Sequence, residues 1–142
     1  MRLEISKLES EIAEQIRLDD ELSTKYLLLL DIPGMLPRTA MALVVQLPEL
    51  GSVNRGSVVS IAGLVPGTTK KGRGDLRTQL YRPAIVASRY NLFLHTLYKQ
   101  KIEKGKDRKI AILVVASQLI TYANSLIAKR LHSSLPPVKS HR

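Results

Sequence analysis

Chemistry in this chain is best sought between residues 65 and 77, which read Val65-Pro66-Gly67-Thr68-Thr69-Lys70-Lys71-Gly72-Arg73-Gly74-Asp75-Leu76-Arg77. Four cations and three glycines share this stretch with one acid and two large apolar side chains. Such a segment cannot bury itself. It suits a surface that meets a polyanion, most simply a phosphate backbone, and this assigns Lys70, Lys71, Arg73 and Arg77 to phosphate contacts. A solvated loop is the plainer alternative. The run Gly67 to Gly72 followed by Arg73 echoes a nucleotide-binding P-loop only superficially. That motif needs Lys followed by Ser or Thr after a strand, and here Arg73-Gly74 follows no strand pattern.

A second candidate is Leu28-Leu29-Leu30-Asp31-Ile32-Pro33-Gly34-Met35-Leu36-Pro37-Arg38-Thr39-Ala40. A helix, a tight Pro-Gly turn and a helix opening on small residues match a helix-hairpin-helix, whose turn and second helix N-terminus face a DNA phosphate. Gly34, Arg38 and Thr39 are the contacts this predicts. The second glycine of the usual Gly-hydrophobic-Gly hairpin is Leu36 here, and leucine is costly at positive φ. A plain helix–helix turn explains the same residues. A third basic cluster, Lys99, Lys101, Lys104, Lys106, Arg108 and Lys109 around Gly105, offers a further phosphate-contacting edge through Lys106, Arg108 and Lys109, or simply a wet turn.

Catalytic constellations are poor. His95 falls beside Leu94 and Leu97 in a helical pattern, and His132 and His141 lie at or in the tail, so no histidine pair has metal-binding spacing. Asp75, Glu103 and Asp107 read as cap or surface residues, too few to hold two metals. Ser52, Ser57, Ser60 and Ser88 have no activating base nearby in sequence. Neither a metal nor a cofactor is expected. Aromatics make up 4% of the chain, which argues against a stacking platform for single strands.

These segments sit in a 142-residue chain, long enough for one domain with a substantial core. The net charge of +10 is uneven: residues 1–50 carry −4 and residues 51–142 carry +14. That asymmetry predicts a nucleic-acid partner for the basic part. With no cysteine, disulfides and cysteine-ligated metals are excluded, and a cytoplasmic, nucleoid-associated location is expected. The N-terminus, Met1-Arg2-Leu3-Glu4, does not read as a signal peptide. The longest apolar run, Ile110 to Ala116, falls short of a membrane span, so no membrane partner is expected.

The elements that must position the candidates all read as helices. Ile5, Leu8, Ile12 and Ile16 recur at spacings of three and four over residues 3–17, a stripe that can pack on its own domain or pair chains as a coiled coil. Asp19 or Asp20 suits an N-cap for a helix ending in Leu27 to Leu30. Pro37 opens a third helix, and a short one over 54–62 ends at Gly63. The helix from Asp75 carries Leu76, Leu80, Ile85 and Val86, and Pro83 should kink or divide it. Asn91 caps the next, and Asp107 caps a last helix from Ile110 to about Lys129. Strand patterns are absent. The fold expected is all-α: linker helices over 1–27, a helical domain with the hairpin-like element over 28–130, and a loose tail over 131–142.

Taken in order, Ile32-Pro33-Gly34, Thr39-Ala40, Leu47-Pro48-Glu49-Leu50-Gly51, Ala62-Gly63-Leu64-Val65-Pro66, Leu76-Arg77-Thr78-Gln79-Leu80-Tyr81, Ala87-Ser88-Arg89-Tyr90-Asn91, Phe93 to Tyr98 and the Lys109–Asn124 helix resemble the C-terminal transposase domain of bacterial DEDD-type insertion-sequence transposases. The resemblance covers about residues 28–128, and the preceding helix is similar to the coiled-coil linker that enters that domain. It implies a DNA recombinase. A resolvase-like nuclease half supplies the acidic metal site and the C-terminal half a serine thought to join DNA covalently, with a guide RNA in some members. This chain has neither the nuclease half nor the Ser-Gly step, and carries Thr68 and Thr69 where the serine is sought. The expectation is a DNA-binding transposase domain, a fragment or degenerate copy without strand transfer of its own, with structured RNA a further partner. The alternative is an oligomerisation module that pairs through residues 3–17.

Overall fold

A computed structural model describes residues 2–64 and 76–131, with the side chains of Arg2 and Leu3 outside that description. Among the described residues the chain is all-helical: α1 (Arg2–Leu18), α2 (Asp20–Leu30), α3 (Pro37–Gln46), α4 (Arg55–Ile61), α5 (Leu76–Tyr90), α6 (Leu92–Glu103) and α7 (Arg108–Leu131). The local stop and start signals act where the residue types place them. Asp19 accepts a hydrogen bond from the Leu22 N–H at 2.9 Å and Asn91 one from the Leu94 N–H at 3.0 Å. Each satisfies an orphan donor at a helix start.

The centre of the domain is α7. Its buried side chains include Ile112, Val115, Leu119, Ile120 and Ile127, and α2, α4, α5 and α6 all pack against it. It is long and apolar enough to cross a membrane by length and composition, a property the seven-residue run at its start does not reveal. More than half of that apolar stretch, 56%, is buried inside the domain, as in the core helix of a helical bundle. Helices α5, α6 and α7 form an up-down-up trio, the most closely packed part of the molecule. Leu76, Leu80, Ala84 and Ala87 of α5 face it at helical spacing.

Helix α5 runs unbroken through Pro83. The expected division does not occur, and the reason lies in α3. Proline has no N–H to give to the carbonyl four residues back. That carbonyl belongs to Gln79, and the hydroxyl of buried Thr39 donates to it at 3.4 Å. The α2–α3 turn presses on the same place. Gly34 has φ +89°, and a Cβ there would come within 2.9 Å of Val86 and 3.3 Å of the Pro83 carbonyl. The glycine thus serves a left-handed turn that leaves no room for a side chain against α5.

The segment after α3 is held by two polar anchors. Buried Lys25 donates to the Pro48 carbonyl at 2.7 Å and lies 3.6 Å from the Glu21 carboxylate. Asn124 of α7 accepts from the Gly51 N–H at 2.6 Å and donates to the Val53 carbonyl at 2.8 Å. By contrast α1 is lightly attached. Ile16 is buried, while Ile5, Leu8 and Ile12 remain exposed. A domain boundary at 27/28 falls within α2, whose Lys25, Leu28 and Leu29 are all buried.

Candidate nucleic-acid interface

Three helix segments converge on one groove of about 700 Å³. The start of α3 brings Leu36, Arg38 and Thr39. The first half of α5 brings Arg77, Thr78, Gln79, Tyr81 and Arg82, and the start of α7 brings Lys109 and Leu113. Among the described residues, four cations therefore share a lining that contains no acid. They come from positions 38, 77, 82 and 109, which no sequence window holds together. Like charges gather this way at a cost unless an anion or a counter-charge meets them.

One of the four already has a counter-charge. The Arg38 guanidinium pairs with Glu9 of α1, Nε to Oε2 at 2.6 Å and Nη2 to Oε1 at 3.3 Å. Arg77, Arg82 and Lys109 form no ion pair among the described residues. The helix ends add to the field. Arg108 and Lys109 stand in the first turn of α7, the positive end of its dipole, where cations are disfavoured and anions attracted. The start of α3 has no side-chain cap on it, because Leu36 sits at the N-cap. Its φ of −86° is extended, so the leucine is unstrained, but the turn is not the two-glycine hairpin.

Lys106 is exposed in the turn between α6 and α7, next to Arg108, and extends the basic edge from Lys109 toward Lys104 and Lys101. Thr39 lines the groove yet spends its hydroxyl on Gln79, and Gly34 is turned toward α5. Lys70, Lys71 and Arg73 lie outside the described residues.

His95 and Ser88 have structural partners. A carbonyl only accepts, so the His95 Nδ1–H donates to the Ser88 carbonyl at 3.0 Å and closes the C-terminal end of α5. The Ser88 hydroxyl donates to the Ile85 carbonyl at 2.7 Å. Among the described residues no three His, Asp or Glu side chains converge as metal ligands.

The chain is 28% identical to the pilin gene-inverting proteins of Moraxella bovis and Moraxella lacunata. Each alignment runs over 150 positions and takes in 90% of this chain but 46% of the relative. The chain thus spans about half the length of the curated relatives it matches. No family model matches it, and no solved structure does.

Arg82 is the interface residue that sequence reading missed. It stands between Tyr81 and Pro83, and only its helical spacing of four from Thr78 and three from Gln79 signals that it shares their face.

Proposed function

We propose that this chain is the DNA-binding part of a DNA-rearranging protein, and that the α3–α5–α7 groove holds the phosphate backbone. The observation that carries the reading is the convergence of Arg38, Arg77, Arg82 and Lys109 on a lining without acids. Both similar proteins are named for inverting a gene, an operation on DNA, and this agrees with a polyanion-binding surface. The resemblance to transposase C-terminal domains points the same way. It also supplies the finer reading of an insertion-sequence recombinase whose cutting chemistry lies elsewhere.

The groove suits backbone contacts rather than base reading. Guanidinium and ammonium groups meet phosphate oxygens without sequence information, and they fix position on the duplex. Helix N-termini add donors of the same kind. Replacing Arg77, Arg82 and Lys109 together with glutamine should weaken binding to duplexes of unrelated sequence by one common factor, roughly 10-fold or more. Unchanged affinity on all of them, by fluorescence anisotropy, would remove the groove from the interface.

A second reading has its own observation. Ile5, Leu8 and Ile12 form an exposed apolar stripe on α1, the pattern of a helix that pairs with another. On this reading the chain associates through residues 3–17 and the basic groove is incidental. The same number of chains per particle with and without residues 1–18, from the mass in solution, speaks against it.

A further inference from the structure

Two of the six aromatic side chains in this chain share one cleft, and a third stands next to it in sequence. The sequence holds five tyrosines and one phenylalanine. Tyr90, Phe93 and Tyr122 are all exposed, at 79%, 66% and 55%, and Leu92 beside them is 81% exposed. Phe93 and Tyr122 line a cleft of about 430 Å³ between the turn before α3, the start of α4, the α5–α6 joint and the middle of α7. Tyr90 and Leu92 flank Asn91, which lines the same cleft. A solvent-facing cluster of large apolar groups costs solubility unless something covers it.

The cleft also has a polar character that narrows the occupant. Among the described residues its one charged lining group is Arg55, a cation, and Gln118 supplies both an amide donor and an acceptor. The floor is apolar, with Leu94 and Leu119. Flat rings, a bidentate amide and a lone cation form the set that holds an unpaired nucleobase: the rings stack on its face, the amide reads its edge and the cation meets its phosphate. The volume suits a small planar group rather than a helix.

Position supplies the second argument. Helix α5 lines the basic groove with residues 77–82 and the cleft with 87, while α7 lines them with 109–113 and 118–122. The nearest lining residues, 82 and 87 on α5 and 113 and 118 on α7, are five apart, about 8 Å along each axis at ~1.5 Å per residue. Both helices run from groove to cleft in the same sense. A five-residue step also turns each helix by about 140°, so the cleft opens on a different face and a strand held in the groove enters it by bending around the α5–α7 edge.

We propose that the cleft takes up an unpaired base of the bound DNA, stacked on Phe93 and Tyr122. The proposal rests on the groove reading for delivery of the strand, and the following test separates the two. A paired duplex and the same duplex with a central three-thymine bulge are titrated against the protein at fixed salt. The wild type should prefer the bulged probe by roughly 10-fold, in keeping with the strength of base–aromatic stacking. Phe93→Leu with Tyr122→Leu should bring the preference to about one and leave paired-duplex affinity unchanged. Phe93→Tyr and Tyr122→Phe, which keep the rings, should retain it. Both side chains are exposed, so these exchanges leave the core intact.

Equal affinity of the wild type for both probes, or a preference that survives loss of the rings, overturns the proposal. So does self-association through this face that the leucine pair abolishes, with no bulge preference. Bulge binding that needs the rings, alongside no salt-sensitive binding of paired duplex, supports the cleft and strikes the groove instead.

Discussion

Thr39 and Pro83 show how one residue's meaning depends on another. Pro83 removes the donor that Gln79 would have used, and Thr39 replaces it from a different helix. Thr39→Val keeps the shape and deletes the donor, so it should cost about 1 kcal/mol in urea unfolding. In a Pro83→Ala background the alanine N–H can serve Gln79, and the same exchange should cost measurably less. Equal costs in both backgrounds, read as a double-mutant cycle, would show that the hydroxyl does not serve the orphaned carbonyl. Legibility at this scale followed locality. Asn91 as a cap was plain and the α2 cap was narrowed to Asp19 or Asp20, since a cap contacts its own chain three residues on; Asp19 is the one that does so. The continuity of α5 was not, since it depends on a hydroxyl 40 residues away. Arg82 stayed hidden for the same reason, because its partners in the groove are distant in sequence.

At the scale of elements, α1 is the part least committed to the core and supplies the carboxylate paired with a groove cation. Its Glu9 occupies Arg38, one of the four positive groups of the groove. Arg38 is 67% exposed and the pair lies on the surface, so it contributes little to stability. Its larger consequence is for binding. Glu9→Gln removes a carboxylate from the groove rim and frees Arg38, and it should tighten duplex binding by a few-fold at low salt. Weaker binding would mean that Glu9 holds Arg38 in its working position instead. The helices themselves were readable from periodicity and breakers, because each carries its own pattern. The two roles open to the α1 stripe were readable too, and its apolar anchor is at one end, where Ile16 is buried while Ile5, Leu8 and Ile12 are exposed. The meeting of Phe93 and Tyr122 in one cleft was invisible to a count of aromatics, since two rings matter only where the α5–α6 joint and α7 bring them together.

Across the whole molecule the α5–α6–α7 trio gives the domain two ends. Both α5 and α7 start at the basic groove, α6 ends beside it, and the aromatic cleft lies where α5 hands over to α6. The charge asymmetry of the sequence predicted a basic surface but not its place. Arg38 comes from the acidic first 50 residues and still joins Arg77, Arg82 and Lys109. The central claim is that these cations meet DNA phosphates, and the salt dependence of duplex binding tests it most directly. Four phosphate contacts give a slope of log affinity against log salt of roughly −3 to −4, about a 100-fold loss between 50 and 200 mM. With Arg77, Arg82 and Lys109 replaced by glutamine, the slope should shrink by about three, one for each contact removed. A wild-type slope near zero, or one that the triple replacement leaves unchanged, would contradict the account.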